Sequence, residues 1–114
     1  MHKIGVIGAG AWGTALAQAL ANTGRDVLVW ARESEVIDSI NTQHENSLYL
    51  KDIKLNTMVK ATDSLAEACN RDVLLIATPA QHVRSTLESL KADLDDTKPF
   101  VLCAKGIEKD TGYL

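Results

Sequence analysis

Cysteine, proline and long apolar runs are all scarce in these 114 residues. Two cysteines, Cys69 and Cys103, cannot build a disulfide framework. Their neighbours provide no metal-ligand spacing, so both read as core or half-buried thiols of a reducing compartment, and no metal site is expected. No window comes near the roughly 18 apolar residues that a bilayer-spanning helix needs, so no membrane insertion is expected. The start, Met1 to Gly8, is not a secretory signal, because Gly5 and Gly8 interrupt its apolar run and no cleavage-type segment follows. Cationic excess is also missing: 12 Lys and Arg stand against 15 Asp and Glu, a formal net charge of −3. A nucleic-acid or anionic-membrane binder needs clustered cations to neutralise phosphates, and this chain is expected to bind neither. The expected location is the cytoplasm.

What is present is ordinary for a folded domain. The chain is 46% hydrophobic and 24% charged, enough apolar material to offset ordering entropy, and its length suits one domain. No repeat or low-complexity tract occurs. The only two prolines, Pro79 and Pro99, fall at element boundaries. Short apolar runs with little polar alternation lie at residues 3–7, 26–30, 58–61, 72–77 and 100–104. Such runs suit strands covered on both faces. Between them lie helical patterns. Residues 11–23 are rich in Ala and Leu, with Leu16 and Leu20 on one face and Gly24 placed as the C′ residue. Residues 33–43 carry Val36, Ile37 and Ile40. Residues 64–69 open on a Ser64/Glu67 capping box, and residues 79–90 carry Val83, Leu87 and Leu90. Strand and helix alternate throughout, which predicts an α/β fold: a doubly wound, mostly parallel Rossmann-type sheet with helices on both faces. The polar stretch 43–57 reads as a long functional or packing loop.

Gly8-Ala9-Gly10-Ala11-Trp12-Gly13 fits the pattern G-x-G-x-x-G. The string follows a predicted strand and opens a predicted helix, with a further strand at the right distance. That context makes it a dinucleotide-binding signal. Gly8 permits the tight turn, Gly10 lets a pyrophosphate approach the backbone, and Gly13 lets the helix lie close to the sheet. The N–H groups of the helix start then face the phosphates. Trp12 is too large to be buried beneath the helix and is expected to project over the pyrophosphate side or into a domain junction.

The end of the second strand selects the cofactor. An NAD site usually places Asp or Glu there for the ribose 2′-hydroxyl. Here the tip reads Trp30-Ala31-Arg32-Glu33, and the first charged residue is an arginine. Its planar fork suits a 2′-phosphate, so NADP is expected to be accepted and preferred over NAD. Glu33 is the counterweight, able to bond a 2′-hydroxyl or to neutralise Arg32. Thr78-Pro79-Ala80-Gln81 follows the fourth strand. It reads both as a capping box and, because it lies near the sheet's switch point, as the wall of the nicotinamide end, with Pro79 shaping it. His82 reads as a surface helix residue. Lys105, at the tip of the fifth strand before Gly106, reads equally as a surface cation and as a contact for the nicotinamide end or a substrate phosphate.

The runs Gly8 to Ala17, Trp30-Ala31-Arg32, Asn46 with Tyr49-Leu50, Pro79 with Gln81, and Lys105-Gly106-Ile107-Glu108 with Thr111 together resemble the soluble, NAD(P)-dependent glycerol-3-phosphate dehydrogenases over the whole chain. The resemblance implies reduction of dihydroxyacetone phosphate to sn-glycerol 3-phosphate for phospholipid synthesis. It implies that residues Ala11, Trp12 and Arg32 bind cofactor and that Lys105 touches cofactor and substrate. It also implies a following helical domain that holds the substrate and supplies the catalytic lysine. Residues 1–114 are then an incomplete cofactor-binding part, with no catalytic residue of their own and weak cofactor binding in isolation. A homodimer is compatible with the resemblance. Two positions depart from the family pattern: Ala11 stands where many members have Ser, and Lys51 where many have Pro. The alternatives are the cofactor domain of a related β-hydroxyacid or 6-phosphogluconate-type dehydrogenase, and a stand-alone dinucleotide-binding module.

Overall fold

The computed structural model describes residues 3–78, residue 88 and the strand at 100–102. Five short strands, β1 (Lys3–Ile7), β2 (Asp26–Trp30), β3 (Val59–Thr62), β4 (Val73–Ile76) and β5 (Phe100–Leu102), form one sheet in the order β3-β2-β1-β4-β5. Every neighbouring pair is parallel. Helices α1 (Ala11–Ala21), α2 (Ser34–Asp38) and α3 (Leu65–Cys69) connect the strands. The chain winds outward from β1 to β3 and then returns to the other side of β1 with β4. The strand order therefore reverses between β1 and β4, and the crevice beyond their carboxyl ends is the switch point at which ligands of such sheets bind.

The two faces of the sheet are covered by different helices, as the apolar runs predict. Val6, Val27 and Val29 pack with Ala17 and Ala21 of α1 and with Val36 and Ile40. Ile7, Leu74 and Ile76 point the other way and pack with Ala68 and the buried thiol Cys69 of α3. This is the period-2 alternation of a pleated strand, here apolar on both sides. Gly5 lies on the α3 face: a Cβ at that position would fall 2.1 Å from the Ala68 carbonyl oxygen. The missing side chain therefore allows helix backbone to rest directly on β1.

Several boundaries differ from the sequence expectation. The helix expected at 33–43 is α-helical only to Asp38 and continues as a wider π-helical stretch, Ser39–Gln43, closed by His44 in the left-handed conformation at φ 55°. Asn41 explains what holds the widened segment. Its side chain donates to the Ala61 carbonyl at 3.0 Å and accepts from the Ala61 N–H at 2.8 Å. It thereby satisfies backbone groups of the edge strand β3 that have no strand partner. The Ser64 cap of α3 is present, with Oγ accepting from the Glu67 N–H at 3.2 Å. The reciprocal half of the capping box is replaced, because the Ser64 N–H donates to Thr62 Oγ1 at 3.1 Å. Helix α1 ends at Ala21 with Asn22 as its C-cap, so Gly24, at φ 91°, takes its left-handed conformation later than the C′ position. Apart from residue 88, the helix expected at 79–90 lies outside the described residues. No helix among the described residues is long and apolar enough to cross a membrane.

Candidate functional site

The glycine turn lies between the end of β1 and the start of α1, at the switch point. Gly8 has φ +116°, a left-handed conformation that L side chains rarely adopt, and a Cβ there would meet the Ala77 carbonyl oxygen at 2.8 Å. A Cβ on Gly13 would fall 2.0 Å from the Gly8 carbonyl oxygen. The helix thus touches the turn backbone to backbone. Gly10 is different, since a Cβ there would meet nothing within 4 Å. Its lack of a side chain satisfies no packing need of the described residues and leaves open space beside the backbone. Gly10 is also the N-cap of α1, with no side-chain cap and no acidic residue in the first turn. A helix start leaves N–H donors without carbonyl partners and carries the positive end of the helix dipole. The arrangement can therefore receive an anionic group of pyrophosphate size, and the cradle fits a dinucleotide. Ala11 is exposed, and Trp12, at 42% exposure, lies outside the core, as its size requires.

A buried amide supports this turn from behind. Asn46 is fully buried in the 44–58 loop. Its Nδ2 donates to the Ala9 carbonyl at 2.7 Å and to Thr14 Oγ1 at 2.8 Å, and its Oδ1 accepts from the Tyr49 N–H at 3.1 Å. The Thr14 hydroxyl in turn donates to the same Ala9 carbonyl at 3.3 Å. In the sequence Asn46 lies in the polar 43–57 stretch, and its residue type there implies no role. A lone Asn in a polar stretch carries no signal of burial, and its partners lie 37 and 32 residues away.

The second cluster forms at the tip of β2. The Arg32 guanidinium carbon sits 5.8 Å from the centroid of the Trp30 ring, within cation–π range. The indole is fixed by its Nε1, which donates to the Asp63 carbonyl at 2.9 Å. Ala31 between them is buried, and its N–H donates to the Thr62 carbonyl at 3.0 Å. Arg32 itself is exposed. Glu33 neither bonds nor neutralises Arg32 in the described structure; its Oε2 accepts from the Tyr49 hydroxyl at 2.5 Å. That hydrogen bond, followed by desolvation and the charges of Glu33 and Glu35, raises the Tyr49 phenol above its ordinary value of 10.0. Glu33 Oε2 thus has a protein partner, while the arginine fork faces solvent.

Thr78, at the carboxyl end of β4, is buried, and its N–H nitrogen lies 3.3 Å from where a Gly8 Cβ would stand. This brings the fourth strand's tip against the glycine turn. Pro79, Gln81, His82, Cys103 and Lys105 lie outside the described residues. No cluster of three or more His, Cys, Asp or Glu side chains that could hold a metal occurs among the described residues.

A family model for the N-terminus of NAD-dependent glycerol-3-phosphate dehydrogenase matches residues 3–114. The chain belongs to the glycerol-3-phosphate dehydrogenase family. A glycerol-3-phosphate dehydrogenase [NAD(P)+] of Parvibaculum lavamentivorans is 55% identical over 113 residues, covering 99% of this chain and 34% of that protein. Among solved structures, glycerol-3-phosphate dehydrogenase of Coxiella burnetii superposes with a TM-score of 0.81 at 27% identity, over 98% of this chain and 38% of that one. The Saccharomyces cerevisiae glycerol-3-phosphate dehydrogenase gives 0.82 at 28% identity, over 90% of this chain and 33% of that one. The chain thus spans about a third of the length of the dehydrogenases it matches.

Proposed function

We propose that residues 1–114 are the cofactor-binding part of a glycerol-3-phosphate dehydrogenase that reduces dihydroxyacetone phosphate to sn-glycerol 3-phosphate with NADPH or NADH, supplying phospholipid synthesis in the cytoplasm. The observation that carries this reading is the open space at Gly10, set between two glycines whose side chains the packing forbids, at an uncapped helix start. A reduced nicotinamide supplies a hydride for a ketone carbon.

In this reading, the turn Gly8, Gly10, Ala11, Trp12 and Gly13 binds the pyrophosphate through backbone N–H groups. Ala11 contributes no hydroxyl, so the backbone carries that contact alone. Arg32, held over Trp30, pairs with a 2′-phosphate, and the Tyr49 bond to Glu33 leaves the arginine to read the position. Pro79 shapes the nicotinamide end of the crevice. Lys105 binds both cofactor and the substrate phosphate. A lysine from the remaining two-thirds of the protein protonates the developing alkoxide, and that remainder also carries any homodimer contacts.

The test is a titration of the full-length protein with NADPH and NADH at several salt concentrations, followed by turnover of dihydroxyacetone phosphate beside a panel of hydroxy acids. Salt-sensitive binding that is tighter for NADPH, with activity on the triose phosphate, is the expected result. Activity confined to hydroxy acids would reject this substrate and favour a related dehydrogenase. Binding without any turnover would favour a dinucleotide-binding module.

A further inference from the structure

The glycine turn is aimed by a residue outside its motif. We propose that Asn46 is a positioning residue for pyrophosphate recognition, acting through the Ala9–Gly10 peptide; this rests on the cofactor reading above. Asn46 and Thr14 both donate to the Ala9 carbonyl oxygen, at 2.7 and 3.3 Å, and the Asn46 amide also donates to Thr14 Oγ1 at 2.8 Å. Both side chains are 0% exposed. The three polar groups close on one another in the protein interior, where a lost partner is costly. In a trans peptide the carbonyl of one residue and the N–H of the next point in opposite directions. Holding the Ala9 carbonyl inward therefore directs the Gly10 N–H away from the buried amide and toward the outer side of the turn. Position 10 is the one glycine of the turn with open space beside it.

Glycine is the residue least able to hold such an orientation by itself, since its backbone moves readily between wells. A turn with glycine at both 8 and 10 thus needs an external fixture if its donors are to be preorganised. Asn46 supplies it from a loop whose own shape it also fixes through the Tyr49 N–H. Preorganised donors bind a ligand without the ordering cost that a mobile turn would incur.

The experiment compares two ligands in the full-length protein: NADPH, which carries the pyrophosphate, and adenosine 2′-phosphate, which lacks it. Asn46→Ala is expected to weaken NADPH about 10- to 100-fold, the scale of one or two lost buried hydrogen bonds. Adenosine 2′-phosphate should stay within about twofold. Thr14→Val, which removes the hydroxyl at nearly constant shape, should weaken NADPH in the same way, and Thr14→Ser should restore it. A folded Asn46→Ala protein that binds NADPH like wild type would overturn the proposal. So would a parallel loss for both ligands, which is the mark of a merely structural role. If Asn46→Ala fails to give a cooperative thermal transition, the Thr14 pair decides, and equal NADPH affinity in Thr14→Val and Thr14→Ser overturns it. Wild-type protein that binds neither NADPH nor NADH would instead refute the underlying cofactor reading.

Discussion

Gly8 and Gly13 are in backbone contact: a methyl group on Gly13 would overlap the Gly8 carbonyl oxygen at 2.0 Å. A motif usually described by its ligand is here, at two of its three glycines, a packing requirement. Gly13→Ala is expected to lower stability by about 1–3 kcal/mol, because the obstacle is backbone and the helix must shift to clear it. The gain in helix propensity from Gly to Ala, at most about 1 kcal/mol, offsets only part of this. Urea denaturation of the variant measures it.

Gly10→Ala separates packing from ligand binding. Nothing stands within 4 Å of the new methyl group, and the N-cap carries no side-chain bond to lose. Stability should fall by no more than about 1 kcal/mol, the usual difference between Gly and Ala at an N-cap. In the proposed binding mode, cofactor affinity should fall by at least about tenfold, because the methyl would occupy the space left for the pyrophosphate. Unchanged affinity would remove Gly10 from the site.

Arg32→Ala is expected to weaken NADPH far more than NADH. The loss of a charge-assisted bidentate contact is on the order of 1.5–3 kcal/mol, or about 10- to 150-fold. Arg32→Lys should recover only part, since an ammonium lacks the planar fork and stacks less well on Trp30. Fluorescence titration with both cofactors measures the ratio, and equal losses would exclude a 2′-phosphate role.

Tyr49→Phe frees Glu33 at the same tip. The expected outcome is weaker NADPH binding and unchanged or tighter NADH binding, as the carboxylate becomes available to a ribose hydroxyl and repels a phosphate. The pH dependence of stability has a defined sign. The folded phenol titrates above its ordinary value because its proton is held by Glu33. The bond therefore contributes fully below the unfolded value near 10, and its contribution is lost as pH rises through the folded value. The stability difference between wild type and Tyr49→Phe should be flat from neutral pH to about 10 and vanish above the folded value.

Gly5→Ala should be destabilising although Ala is ordinarily the better residue in a strand. The new Cβ would meet the Ala68 carbonyl oxygen at 2.1 Å and the Leu74 side chain at 3.1 Å. The expected loss is about 1–3 kcal/mol, read by thermal or urea melting.

The fold class was legible because its signal is local. Five apolar runs at 3–7, 26–30, 58–61, 72–77 and 100–104 mark strands to within a residue or two of those observed, and the Gly8–Gly13 string names its own structural context. Arg32 was legible as the first charged residue past β2. The role of Asn46 was not, because nothing near it in the chain distinguishes a buried Asn from a solvated one. The same holds for Tyr49 and Glu33, whose bond depends on how the 44–58 loop returns over the start of α2.

The amino-acid sequence by itself determined the alternation of strand and helix, the glycine turn and the cation at the second strand's tip. Each rests on residue type and short-range spacing, which set backbone dihedrals and the burial period directly. Only the tertiary structure decided that Gly5 is a contact point for the backbone of α3, and that Glu33 is bonded by Tyr49 while Arg32 lies over Trp30. It also decided that Asn46 stands behind the turn. These are relations between segments up to 63 residues apart, such as Gly5 with Ala68, or 37 apart, such as Ala9 with Asn46. The long-range ones exist only once the fold has brought distant segments together, since hydrogen bonds and steric contacts act over a few ångströms and carry no trace along the chain.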